Sequence, residues 1–351
     1  LEIDKKKPVL VTGANGYVAS WLVKRLLDEG MTVHAAVRNS KDPRKVSHLQ
    51  DLAKNSAGKL QFFDTDLLVE GSYADAMKEC ELVYHTASPF TSKYKDPQRD
   101  LINPAVKGTE NVLNEANRNK QVKRVVVTSS CAAIYTDAID VYSTPNNVLT
   151  EDVWNTTSSL NYQPYSYSKV MAERRAWEIH QSQNQWDLVT INPSLVMGPA
   201  LNADAITSES FTILEQFGNG TLRFGAPRLG IGVVDVRDVA DAHIQAGFNP
   251  KAKGRYITSA HNTNFFEMAQ TLRDDFEKDY PLPKSVMPKW VLYLFGPLMN
   301  KALNRKFIKN NVDVVWKADN SKIKRELGIN FRPLKETMVD GFRNLIQSKS
   351  L

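Results

Sequence analysis

A phenol and an ammonium one helical turn apart are the groups of this chain best placed to move a proton. They lie in Tyr165-Ser166-Tyr167-Ser168-Lys169, where the i,i+4 spacing puts Tyr165 and Lys169 on the same side of a helix. Tyrosine ionises near about 10, too high for ready exchange at neutral pH. A neighbouring ammonium lowers that value. Upstream, a Ser129-Ser130 pair follows an apolar run that begins at Arg124. Ser130 is expected at the end of that strand, with its hydroxyl free to orient an oxygen. Such a set suits proton transfer to or from a carbonyl oxygen. Tyr167 is not equivalent, because its i,i+4 partner is Met171. Alone, Tyr-x-x-x-Lys is also the spacing of an ordinary surface pair, so the reading depends on a second feature.

That feature is Thr12-Gly13-Ala14-Asn15-Gly16-Tyr17-Val18-Ala19, between a β-branched run and an amphipathic helical pattern. Gly13 allows the tight turn, Gly16 lets the backbone approach a pyrophosphate, and Ala19 is small enough for the helix to pack on the strand. The helix start presents unpaired N–H groups to negative charge. Gly13, Asn15, Gly16, Tyr17 and Val18 are therefore expected cofactor contacts, and the two features together indicate hydride chemistry on a nicotinamide cofactor. The second strand ends in Arg38-Asn39-Ser40, with Lys45 a turn later, where many NAD enzymes carry an acid for the ribose 2′-hydroxyl. Two cations there favour a 2′-phosphate and hence NADP(H). Asp66 and Leu67, after the third strand, are placed to meet the adenine; an N-cap role for this acidic segment fits as well.

The remaining composition narrows the class. The chain has 351 residues and a net charge of +6, with 42% hydrophobic and 24% charged residues, as in ordinary globular proteins. Its basic residues are scattered apart from Lys5-Lys6-Lys7 and the stretch from Lys301 to Lys309, which argues against a nucleic-acid footprint. Cys80 and Cys131 read as buried thiols of a reducing, cytoplasmic compartment, and no secretory leader is visible. No histidine pattern supports Cys131 as a nucleophile, and the six histidines show no metal-ligand spacing. His85 reads as structural. The apolar run from Trp290 to Met299 is interrupted by Gly296 and Pro297. It is too short to cross a bilayer and is expected as a buried helix or pocket wall, so no membrane partner is expected.

Strands are expected at Pro8–Thr12, Thr32–Val37, Leu60–Phe63, Leu82–Thr86, Arg124–Ser129 and Leu188–Asn192. Helices are expected over Tyr17–Glu29, Pro97–Asn119 and from Tyr165 through Ile179. This βαβα rhythm predicts an α/β fold, a Rossmann-type doubly wound parallel sheet. Beyond Pro193 the rhythm breaks. Val233–Val236 is expected to return as a strand to that sheet, with a helix over Val239–Phe248, and helices are expected to dominate after Gly254. The organisation expected is a cofactor domain of residues 1–192 plus about 233–248. A smaller, mostly helical substrate domain would comprise 193–232 and 249–351.

These residues resemble the extended short-chain dehydrogenase/reductases, in the branch of dihydroflavonol reductase, cinnamoyl-CoA reductase and fungal methylglyoxal-type aldehyde reductase. The similarity covers nearly the whole chain. It includes the glycine turn, His85-Thr86-Ala87-Ser88-Pro89-Phe90, Thr128-Ser129-Ser130, Tyr165 to Lys169, Asn192-Pro193, and Asp235-Val236-Arg237-Asp238. The resemblance implies Ser130, Tyr165 and Lys169 as the catalytic set. It implies Thr86, Ala87, Ser88 and the loop Pro193, Ser194, Leu195, Val196 against the cofactor, with Arg38 and Lys45 on the 2′-phosphate. Many extended members carry an asparagine where this chain has Ala105. The plant flavonoid enzymes carry an asparagine at the position of Tyr135 and a glutamine near Gly232, contacts this chain lacks. Phe90, Tyr135, Tyr162 and Leu201 are the expected substrate contacts. They point to a small-molecule carbonyl substrate of medium size and an NADPH-dependent aldehyde or ketone reductase, monomeric or homodimeric. A dihydroflavonol/cinnamoyl-CoA-type or hydroxysteroid-type reductase and, after them, a sugar-nucleotide epimerase of the same fold are the alternative enzymes; a non-catalytic NADP(H) sensor is the alternative outside catalysis.

Overall fold

Short apolar runs become strands in the computed structural model, which describes residues 1–88, 94–202, 208–299 and 303–348. The strands are β1 (Val9–Thr12), β2 (Thr32–Val37), β3 (Lys59–Asp64), β4 (Leu82–His85), β5 (Arg124–Thr128), β6 (Asp187–Pro193), β7 (Leu195–Met197), β8 (Gly230–Asp235), β9 (Gly254–Thr258) and β10 (His261–Asn264). The helices before the midpoint are α1 (Tyr17–Asp28), α2 (Pro43–Lys54), α3 (Ala74–Met77), α4 (Asn103–Arg118) and α5 (Pro164–Gln181). After it come α6 (Glu209–Gly218), α7 (Val236–Phe248), α8 (Phe265–Gln270), α9 (Arg273–Phe276), α10 (Lys289–Met299), α11 (Arg305–Asn311), α12 (Ser321–Leu327) and α13 (Leu334–Gln347).

Seven strands form one sheet in the order β3-β2-β1-β4-β5-β6-β9. Every pairing in it is parallel. A parallel sheet needs cover on both faces, which is why β1, β4 and most of β5 are buried along their length. Leu22, Leu26 and Val23 of α1 pack on one face with Val46 and Leu49 of α2 and Val239 and Ala240 of α7. On the other face lie Met77 of α3, Val112 and Leu113 of α4, and Ala176 and Ile179 of α5. The chain runs outward from β1 to β2 on one side and from β4 to β5 on the other, so a crevice opens between the C-terminal ends of β1 and β4.

Three expectations are corrected. The run Val233–Val236 does not return to the large sheet. Its first three residues belong to β8, which pairs parallel with β7 and antiparallel with β10 in a separate three-stranded sheet, and Val236 begins α7. The strand that does return is β9, paired to β6 from Val189↔Gly254 to Pro193↔Thr258, at the start of the region where helices were expected to dominate. A short β-branched run reveals a strand but not its partner. The long helix expected over Pro97–Asn119 is divided, with a π-helical turn at Gln98–Ile102 preceding α4. Finally, the run from Trp290 to Met299 is a helix but not a buried one, with Trp290 and Leu298 64% and 83% exposed; the other expectation, a pocket wall, holds for Trp290, Tyr293 and Leu294, which border a groove with Arg228 and Val286.

Candidate active site

The glycine turn sits at the crevice. Gly13 has φ +60°, and a Cβ there would meet Ala87 Cα at 3.0 Å, so the turn and the loop after β4 approach as only glycine permits. Gly16 is the N-cap of α1 and offers no side chain to the first helical amides, which leaves those N–H groups for a ligand. Thr12 locks the two strand ends together. Its Oγ1 lies 3.0 Å from His85 Nδ1 and accepts from Ala87 N at 3.0 Å, while Thr86 Oγ1 donates to Thr12 O. His85 is buried; lost hydration, followed by the nearby Lys169 charge, pulls its pKa down to about 3. It is a neutral structural group at neutral pH.

Lys169 of α5 reaches across to this loop. Its Nζ donates to Ser88 Oγ at 2.9 Å and stands 5.7 Å from the centroid of the Tyr165 ring. Burial lowers its pKa to about 8. Lost hydration raises the pKa of the Tyr165 phenol, and the Glu209 carboxylate raises it further. With 37% of Tyr165 still reached by solvent, that upward push is smaller than full burial would impose. Glu209, the first residue of α6, was not singled out from the sequence; nothing in its local pattern marks it.

The serine pair is divided by the fold. Ser129 is buried and donates its hydroxyl to Glu173. Ser130 caps the 3₁₀ turn Cys131–Ala133, its Oγ accepting from Ala132 N at 3.1 Å. Glu173 is the centre of a buried network that sequence reading missed. It pairs with Arg255 of β9 at 2.6 Å and accepts from Asn192 Nδ2 at 2.8 Å, and the same Asn192 amide donates to Ser130 O at 3.2 Å. Trp154 stacks on the Arg255 guanidinium at 4.0 Å. One helical turn past Lys169, Glu173 thus ties α5, β5, β6 and β9 together behind the serine. The i,i+4 step from Lys169 was the available signal. Beneath Lys169 a small cavity is bordered by Ser88, Ala105, Thr109, Ser129 and Glu173.

At the far end of the crevice, Arg38 and Lys45 are exposed. Among the described residues neither forms an ion pair. The neighbouring Arg44 is taken by Asp42 at 3.0 Å, and Asp64 accepts from Ser40 N at 2.6 Å. Asp66 accepts from Leu68 N at 2.8 Å, and Leu67 is buried beside Gly108, whose missing Cβ makes room for it. After β6, Ser194 N donates to Thr258 O at 3.1 Å, while the buried Ser194 Oγ has no partner. The Tyr17 phenol donates to Gly198 O at 2.6 Å, so its side chain pins α1 to the loop after β7 and only its backbone faces the turn. Val18 packs into the core beneath.

The expected substrate residues fall in different places. Tyr162 donates to Asp137 Oδ2 at 2.6 Å, and Tyr135 packs against Trp316 with ring centroids 5.4 Å apart. Both border the segment from Cys131 to Ser143. Leu201 precedes Asn202, whose amide donates to Arg44 O at 2.9 Å, which places Leu201 on the α2 side of the crevice instead. Phe90 lies outside the described residues. Gly232 of β8 faces the same indole as Tyr135: a Cβ there would stand 2.4 Å from the Trp316 ring.

Residues 9–258 match the NAD dependent epimerase/dehydratase family. The chain belongs to that family. A cinnamoyl-CoA reductase of Medicago truncatula is 42% identical over 269 residues, 76% of this chain and 80% of the relative. A tetraketide alpha-pyrone reductase of Arabidopsis thaliana is 34% identical over 97% of this chain and 96% of its own length. Among solved structures, yeast methylglyoxal/isovaleraldehyde reductase complexed with NADPH superposes with a TM-score of 0.76 at 26% identity, covering 98% of this chain and 99% of that one. The crevice of this family member fits a dinucleotide on its own chemistry. It offers an uncapped helix start against a glycine turn, an orphaned buried hydroxyl at Ser194, and two cations without carboxylate partners.

Proposed function

We propose that this chain is an NADPH-dependent carbonyl reductase, with Tyr165 as proton donor. The observation that carries the reading is the position of Tyr165 and Lys169 on one face of α5, opposite the glycine turn, with Lys169 reaching the loop after β4. When bound, NADPH supplies the hydride. Gly13, Asn15, Gly16 and the first amides of α1 would hold the pyrophosphate, and Arg38 and Lys45 would hold the 2′-phosphate. Asp66, Leu67, Thr86, Ala87 and Ser88 would hold its adenosine and ribose, and Pro193, Ser194, Leu195 and Val196 would hold the nicotinamide.

Ser130 Oγ donates to the substrate carbonyl oxygen and orients it. Tyr165 gives its proton to that oxygen as charge develops there, so that an alcohol and not an alkoxide leaves. Lys169 stabilises the resulting phenolate. The substrate lies against Tyr162, Tyr135 and Phe90, with residues 193–232 and 249–351 forming most of its side of the crevice, apart from β9.

An apolar, aromatic wall gains mainly from burying apolar surface and distinguishes ligands by size more than by functional group. It therefore suits medium-sized aldehydes, ketones and ketoesters. Trp316, held between Tyr135 and Gly232, leaves no room at position 232 for a longer polar side chain without moving the indole, which supports an apolar substrate over a flavonoid. The 42% identity to a cinnamoyl-CoA reductase favours an aryl-propenoyl thioester as the second reading. The experiment is an NADPH-oxidation screen over aldehydes, ketoesters, aryl ketones, dihydroflavonols and aryl-CoA thioesters. Turnover across simple aldehydes and ketones supports the first reading. Turnover of thioesters alone selects the second. Tightly bound NAD with no oxidation of added NADPH rejects both.

A further inference from the structure

Helix α10 is apolar where solvent reaches it. Between Lys289 and Lys301 the chain carries no charged residue. Leu294 is 53% exposed and Phe295 52%, and together with Trp290, Tyr293 and Leu298 they cover the outer side of the helix. The spacing of Trp290, Leu294 and Leu298 makes one continuous stripe. The inner face is narrow: Leu292 and Gly296 pack on Ile308 and Leu303 of the neighbouring segment. Phe224, 75% exposed, stands beside the start of this helix. Its carbonyl accepts from Ser285 Oγ at 3.2 Å, and the Arg223 guanidinium lies over its ring at 4.6 Å. Contiguous exposed apolar surface of this kind marks an interaction site.

Its charge is one-sided. From Tyr280 to Val312 the chain holds Lys284, Lys289, Lys301, Arg305, Lys306 and Lys309 and no Asp or Glu. Arg223 and Arg228 add to them from the turn before β8. Among the described residues none of Lys284, Lys289, Arg305, Lys306, Lys309, Arg223 and Arg228 pairs with a carboxylate. Asp313 is the one acid bordering the groove beneath Trp290 and Tyr293. Trp290, Tyr293 and Leu294 border that groove, whereas Phe295 and Leu298, outside it, are exposed on the outer side of the helix. An apolar helix face with aromatic residues and a cationic rim is the pattern that lies in a membrane interface.

We propose that α10 and the Phe224 turn form a docking surface for an anionic phospholipid bilayer, on which the chain lies flat. No described helix is long and apolar enough to cross a membrane, so the surface would anchor the protein without spanning. The surface adjoins the candidate site, because Lys306 of α11 sits 3.5 Å over the Tyr162 ring. Docking there would bring the crevice close to apolar carbonyl compounds dissolved in lipid. The docking itself does not depend on the proposed reaction.

The test is co-sedimentation of the full chain with vesicles of phosphatidylcholine alone and of phosphatidylcholine mixed with phosphatidylserine. The expected result is retention on the mixed vesicles that weakens with added salt and is small on the neutral ones. The double variant Leu294→Ser, Leu298→Ser should lower partitioning by about tenfold or more. Both side chains are exposed, so its thermal midpoint should match the parent, and Lys284→Glu with Lys309→Glu should act in the same direction. Absence of retention on anionic vesicles overturns the proposal, as does equal retention of parent and double variant. It is also overturned if the parent is a dimer by analytical ultracentrifugation and the double variant a monomer, because a second copy of the chain would then occupy the face.

Discussion

The Lys169 ammonium donates to the Ser88 hydroxyl at 2.9 Å and so joins α5 to the loop after β4. That contact stabilises the charged form of a lysine whose pKa burial has lowered to about 8. Carbonyl reduction by the proposed route needs the ammonium, so kcat/KM for reduction should fall as pH rises through about 8. Removing the acceptor disfavours the charged form. Ser88→Ala should therefore move the midpoint of this fall to lower pH, by roughly half a unit to one unit. A pH–rate profile of parent and variant measures it, and an unmoved midpoint would show that Ser88 does not tune the lysine.

Tyr165→Phe keeps the ring and removes the proton donor. NADPH oxidation should drop by about a hundredfold or more while NADPH still binds, read by fluorescence titration. Tyr167→Phe should retain most activity. The opposite pattern would assign the chemistry to Tyr167.

Arg38 is an exposed cation without a carboxylate partner among the described residues. A charge-assisted contact to phosphate contributes about 1.5–3 kcal/mol, or roughly ten- to a hundredfold in affinity. Arg38→Ala should raise the Kd for NADPH by that factor and leave the Kd for NADH nearly unchanged. Equal affinity of the parent for both cofactors would refute the 2′-phosphate assignment.

Glu173 and Arg255 are both buried, and each also holds polar groups of other elements. Deleting one member of such a pair leaves an uncompensated charge, at a cost of about 3–5 kcal/mol. Glu173→Ala should lower the denaturation midpoint accordingly. Glu173→Gln, which keeps the shape, should cost less stability but still loosen Ser129 and Asn192 behind Ser130. Urea titrations of the two variants, read with kcat, separate the effects.

His243 is fully buried, accepts the Thr128 hydroxyl across 2.7 Å and contacts Val239 O at 2.7 Å through its other nitrogen. Burial lowers its pKa to about 4. The unfolded chain binds a proton near about 6.5 that the folded one binds only near 4, so stability should decline as pH falls between these values. The loss reaches about 3 kcal/mol for this residue. His243→Gln should flatten thermal midpoint against pH in that window. An unchanged slope would assign acid sensitivity to other groups.

The sequence by itself determined the parallel sheet, because uninterrupted apolar runs alternating with helical patterns have few other ways to be buried. It also determined the glycine turn, whose meaning is local: φ +60° at Gly13 and an uncapped helix start are written in adjacent residues. The tertiary structure alone showed what holds Ser129. Ser129 and Ser130 are chemically identical in sequence, and only packing against Glu173, Arg255 and Asn192, from three other elements, turns Ser129 inward. The same holds for the strand partner of Val233, for the position of Leu201 on the α2 side, and for the outward face of α10. Each depends on contacts between residues far apart in the chain, and local patterning carries no information about which distant surface will be present to cover it.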